Sequence, residues 1–259
     1  MEFARSRNSR AWFLRPTVWF AAASMVTTIV HELTHAVMAY LLGVRSTLFN
    51  YDVDLHLTEA QAATNRPAVI GIAGPLVCLG LGMLGWLAFR RARGSAVELP
   101  LLYLSVFGIG TFFGNLTSAS FAGDFSAAAV ALGLPIGVRY AISLTGVLAV
   151  ATIHFWGGRQ LLRWVPADVG RVIGMLGIIA VPVVLGTTIV VVVNQPRAAA
   201  AVRFGEALFW LFAAVAALVT RRHLQNSRER LGLQWLDAAV ILVAVLMVRV
   251  MVRGIPLAP

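Results

Sequence analysis

Five histidines are spread over the 259 residues, and two of them fall in the run His31-Glu32-Leu33-Thr34-His35. On a helix, positions four apart share a face, so both imidazoles can reach a single ion. A glutamate beside the first histidine is placed to take a proton from water at that ion. The run lies in the apolar stretch 17–44, where inserting a charge costs at least about 2.5–3.5 kcal/mol. Ionisable groups in such a place read first as functional. The bland alternative is a pair of hydrogen-bonded histidines and a neutral glutamate inside a helical bundle.

Two histidines do not complete a catalytic zinc site, which takes three protein ligands and keeps a fourth position open for water. Asp124 is the first candidate for the third. It closes the stretch Gly114 to Asp124, rich in glycine and hydroxyls that loosen a helix and admit water. An unbroken helix from 99 to 133 would be over about 50 Å long, too long for a bilayer, so a break is expected near Gly123. That puts Asp124 at a helix start, where it serves either as a ligand or as a cap. Glu206 and His154 are held in reserve, with His154 otherwise an interior hydrogen-bonded histidine. Asp52, Asp54 and His56 could form a second metal cluster, but a solvated strand face accounts for them more simply.

The elements that must position these residues are apolar. Hydrophobic residues make up 59% of the chain and charged ones 12%, with mean hydropathy +0.82. Soluble domains carry about twice that share of charge, and disordered chains lack the aliphatic residues. The composition therefore predicts an all-α polytopic membrane protein. Seven apolar stretches are candidate spans: 17–44, 67–89, 99–123, 139–158, 172–196, 204–220 and 235–252. The last is the weakest, because Asp237 and Arg249 interrupt it.

Between the first two spans, Tyr51, Val53, Leu55 and Leu57 alternate with Asp52, Asp54, His56 and Thr58, the period of a strand with one apolar face. The expected architecture is about seven transmembrane helices with a short β-like segment after the first. The net charge of +10 comes from 21 arginines and no lysine, clustered between apolar runs: Arg5, Arg7, Arg10 and Arg15, then Arg90, Arg91 and Arg93, then Arg221, Arg222, Arg228 and Arg230. That is the pattern of membrane-flanking loops, not of a nucleic-acid surface, and it favours a cytoplasmic N-terminus. Cys78, the single cysteine, excludes a disulfide framework. Gly80, Gly82 and Gly85 read as close-packing positions, and Trp12, Trp19, Trp156 and Trp164 as interfacial anchors.

His31-Glu32-Leu33-Thr34-His35 in one span, Gly74-Pro75-Leu76 in the next and Asn115 with Asp124 in the third together resemble the site-2 protease family of intramembrane zinc metalloproteases. The resemblance covers about residues 17–133. It implies one zinc per chain on His31, His35 and Asp124, Glu32 as general base, and Asn115 in substrate binding. It also implies that a strand within 48–58 holds the substrate extended. The departures are Ser118 where the family has proline, Phe125 where it has glycine, and one extra residue between Asn115 and Asp124. The family's metal helix enters from the outside, opposite to the side that the arginines favour.

The resulting expectation is a single integral membrane domain over 1–259, with a metalloprotease core at 17–133 and additional helices at 134–259. It would sit in the cell membrane and cut transmembrane or membrane-anchored proteins. Rival readings are a transporter or metal carrier with an intramembrane His/Glu ion site, an inactive membrane scaffold, and a different zinc peptidase using Glu206.

Overall fold

The computed structural model describes residues 13–165, 169–194, 207–220 and 235–259. Arg5, Arg7, Arg10, Trp12, Glu206 and the arginine cluster 221–230 lie outside them. Nine helices and one small sheet are described. The first helix, α1 (Leu14–Leu41), is 28 residues long and carries the histidine motif. At about 1.5 Å per residue it measures about 42 Å. Gly43, with φ +71°, ends it: Gly43 N–H bonds Tyr40 O and Val44 N–H bonds Ala39 O. This left-handed cap turns the chain back over the helix end.

The chain then forms β1 (Arg45–Leu48) and β2 (Val53–His56), an antiparallel hairpin pairing Ser46 with Leu55 and Leu48 with Val53. The expected β-like segment is thus two strands, because the chain turns at residues 49–52, where Phe49 N–H bonds Asp52 O. A third strand, β3 (Ile255–Leu257), arrives from the far end of the chain and pairs with the other side of β1. The sheet order is β2-β1-β3, so β2 is an edge strand.

A one-turn helix α2 (Glu59–Ala62) leads to α3 (Arg66–Arg91), α4 (Glu98–Thr117), the short α5 (Gly123–Ala131) and α6 (Ile136–Leu161). Then follow α7 (Val172–Asn194), with a π-helical turn at Leu176–Ala180, α8 (Trp210–Val219) and α9 (Trp235–Met251). Among the described residues, four helices, Arg66–Arg91, Glu98–Thr117, Ile136–Trp164 and Val172–Asn194, are long and apolar enough to cross a membrane. This is the build of a multi-pass membrane protein. Large apolar side chains on their outer faces, such as Leu84 and Leu148, are exposed as lipid contact requires.

The interior has two main apolar clusters. One joins Phe20, Tyr103, Leu161, Trp164, Ile178 and Trp210. The other joins Met25, Ile29, Leu48, Val190, Val248 and Met251, and so fastens α9 and the sheet to α1. Trp164 is 2% exposed, a core residue and not an interfacial anchor. Gly82 and Gly85 lie against α4 backbone, whereas Gly80 meets nothing within 4 Å.

Arg15, grouped by sequence with the loop cations, is inside α1 and 1% exposed. Its Nε donates to Asp237 Oδ2 at 3.1 Å, and Trp19 Nε1 donates to Asp237 Oδ1 at 2.7 Å. The aspartate that weakened the last candidate span is therefore paired with the first helix.

Candidate metal centre

The two motif histidines share one face of α1 and are 8% and 6% exposed. His35 Nδ1–H donates to Ile70 O at 2.6 Å, which fixes the ring and leaves Nε2 with its lone pair outward. His31 Nδ1 lies 3.7 Å from Cys78 Sγ, and the thiol donates to Thr27 O at 3.6 Å. Both rings are thus held by their Nδ1 side, the arrangement that orients metal-binding imidazoles.

Room for these rings is made by α3. A Cβ on Gly74 would stand 2.5 Å from His35 Nε2, and one on Gly71 would stand 3.1 Å from Asp124 O. Gly71, Gly74 and Cys78 recur at helical spacing, so one face of α3 carries the close approach and the thiol.

Asp124 comes from the break expected near Gly123. The third span ends at Thr117, residues 118–122 form a turn, and Gly123 opens α5 with φ +80°. This left-handed backbone suits glycine and turns the chain sharply. Asp124 sits in the first turn of α5, and its carboxylate reaches across to α1 instead of capping its own helix.

The turn is held from α6. Arg139 Nε donates to Ala119 O, and its terminal nitrogen donates to Ser120 O and Ser126 Oγ, each at 3.0 Å. Ser143 Oγ accepts from Ser120 N–H at 3.1 Å. Sequence reasoning did not single out Arg139, Ser143, Cys78 or Gly71 for the site. Only Gly74 had a signal, from the family resemblance.

His31 Nε2 lies 2.9 Å from Asp124 Oδ2 and 3.0 Å from His35 Nε2, and His35 Nε2 lies 3.4 Å from the same Oδ2. At metal–ligand distances of about 2.0–2.1 Å, tetrahedral ligand atoms lie about 3.3 Å apart. The triangle is close to that size, so the His31, His35 and Asp124 group could hold a metal ion. It is the one such group among the described residues. Asp52, Asp54 and His56 do not form another.

Glu32 is 8% exposed and lies outside the ligand triangle, on the wall of a cavity of about 720 Å³ that all three ligands also line. Asn115 lines the same cavity, with its Nδ2 donating to Thr111 O at 3.0 Å. Asp52, Val53 and Leu55 bring the hairpin to the cavity wall, and His154 lines the same cavity, its Nδ1–H bonded to Val150 O at 2.9 Å. His154 is thus a cavity residue but not part of the ligand group. No protein-family model, curated protein or solved structure matches the chain.

Proposed function

We propose that this protein is a zinc metalloprotease of the membrane, similar to site-2 proteases, that hydrolyses peptide bonds in membrane-protein substrates. The observation that carries the reading is the convergence of His31, His35 and Asp124 on one point, with Glu32 beside them and a cavity large enough for a peptide segment. Two imidazole nitrogens and a carboxylate oxygen are a donor set that suits zinc, with room for a fourth position.

Zinc held there would supply a more acidic water and a polarised scissile carbonyl. Glu32, which binds none of the three ligands, accepts the proton from the attacking water and passes it to the leaving amine. Asn115 retains one amide hydrogen and its carbonyl oxygen for the substrate backbone. The substrate is unwound where it is cut, because a helix keeps its carbonyls in internal bonds. β2 is an edge strand whose Val53 and Leu55 line the cavity, and an extended segment adds to its outer edge as a further strand. The proposed setting is the cell membrane, crossed by the four long apolar helices, with α1 packed among them and carrying the metal motif.

The test is zinc content and cleavage measured on the same purified protein. About one zinc per chain is expected in wild type, with loss in His35→Ala and Asp124→Ala. Glu32→Gln should keep the zinc and lose cleavage of membrane substrates. Cleavage retained by Glu32→Gln would sink the mechanism. A wild-type protein that binds no zinc while folded would return the transport and scaffold readings to the front.

A further inference from the structure

The cavity runs along one face of α1 through Phe20, Ser24, Thr28, His31 and His35. Fifteen helical rises from Phe20 to His35 make that face about 22 Å long, of which the metal group uses one end. The other end has a different chemistry. Phe20, Phe107 and Trp210 form an aromatic floor, with ring centroids 4.9 to 5.7 Å apart. His154 stands edge-on to Trp210 at 5.0 Å.

Above this floor, Ser24, Thr187 and His154 line the cavity and are 7%, 4% and 7% exposed. Hydroxyls on apolar helices ordinarily bond the carbonyl four residues back. Thr27, Thr28 and Thr34 of α1 do so. The hydroxyls of Ser24 and Thr187 make no hydrogen bond among the described residues, and His154 uses only Nδ1, leaving Nε2 as an acceptor. Polar side chains on a cavity wall are satisfied by what occupies the cavity, water or a ligand. Two free hydroxyls and one imidazole nitrogen come together on this stretch of wall.

Building on the metalloprotease reading, we propose that this end of the cavity is a recognition subsite for the substrate segment. The aromatic floor takes a large apolar side chain, and Ser24, Thr187 and His154 hydrogen-bond the peptide backbone beside it. An unwound segment in apolar surroundings carries unpaired N–H and C=O groups, which these side chains match. An acyl chain would suit the floor but leave all three polar groups unpaired. Ser24 and Phe20 lie about 10 and 16 Å along the helix from His31. At about 3.3 Å per extended residue, the large side chain falls three to five residues from the bond that is cut.

The test uses the zinc-loaded full chain in lipid nanodiscs and oligo-alanine hydroxamates, which anchor on the metal and are not cleaved. One series carries the hydroxamate at the C-terminal end and the other carries it on an N-terminal succinyl group. Phenylalanine replaces each of the first five residues in turn, and Kd is measured. The expected result is a gain of tenfold or more at the third, fourth or fifth residue in one series. That phenylalanine-to-alanine ratio should fall below threefold in Trp210→Ala and in the Ser24→Ala, Thr187→Val double variant, with zinc content retained. His154→Leu should lower the ratio and His154→Gln, which keeps an acceptor, should restore it.

Zinc present with no positional gain, or a gain unaltered in these variants, overturns the subsite alone. So does an alkyl hydroxamate of equal length that binds as tightly and responds to the same variants. Absence of zinc overturns the metalloprotease reading and the subsite with it.

Discussion

Gly74 and Cys78 act on the metal centre at the scale of single atoms. A Cβ at position 74 would meet His35 Nε2 at 2.5 Å, the very atom that faces the metal position. The neighbour is a ring held from behind by Ile70 O, so it cannot swing clear without losing that bond. Gly74→Ala is therefore expected to weaken zinc binding by about 10–100-fold, the range typical of disturbed ligand orientation. Titration against a chromophoric chelator reads it, with circular dichroism showing the helices intact. Cys78→Ala removes the sulfur behind His31 and should weaken zinc by about tenfold, at the lower edge of that range, because sulfur is a weak acceptor. Cys78→Ser should recover part of the loss. Equal zinc affinity in all three proteins would show that the thiol is mere packing.

At the scale of elements, the third ligand depends on a turn that its own helices do not hold alone. Residues 118–122 lie between α4 and α5, and α6 fixes them through Arg139 and Ser143. Arg139→Ala is expected to release the turn and lower zinc affinity by about tenfold, as loss of an outer partner does. In an Asp124→Ala background the same change should add nothing, because the ligand it positions is already gone. A loss of equal size in both backgrounds would show that Arg139 stabilises the bundle generally. This link gives α6 a share in the metal centre although it supplies no ligand. The boundary drawn at residue 133 from the family resemblance therefore does not mark where the site's support ends.

The whole molecule is closed by contacts between the two ends of the chain. α9 returns to α1 through the Arg15–Asp237 pair, and β3 returns to the hairpin that lines the cavity. Removing one member of a buried pair strands the other charge and costs about 3–5 kcal/mol. Asp237→Ala should destabilise the fold by about that amount. Arg15→Leu with Asp237→Leu together should cost less than the sum of the single changes, since neither member of the pair is left facing the other's absence. Thermal or denaturant unfolding in a defined detergent compares the two. A similar loss in both would mean that the hydrogen bonds from Trp19 and to Ala96 O carry the contact instead.

Much of this was legible along the chain because it is local. The four-residue spacing of His31 and His35 places them on one helix face wherever the helix lies, and the apolar runs mark the helices by composition alone. The break near Gly123 followed from length, since no single helix from 99 to 133 fits a bilayer. The alternation over 51–58 identified a strand, but period two cannot reveal the turn at 49–52, its partner β1, or the third strand that joins β1 from about 200 residues away. Asp124 could be narrowed to ligand or cap and no further, because both roles sit at a helix start. What brought its carboxylate within 2.9 Å of His31 was packing: glycines that let α3 approach, a left-handed residue at 123, and an arginine on a helix outside the motif. Arg15 and Trp164 were misplaced for the same reason. Their charge and size are properties of the sequence, but whether a cation meets Asp237 or an indole meets the core depends on which helices pack together. Sequence determined the ligand types and the helices that carry them. Only the tertiary structure decided the third ligand and its support, because contacts across 93 residues arise from the shape of packed surfaces and leave no period in the chain.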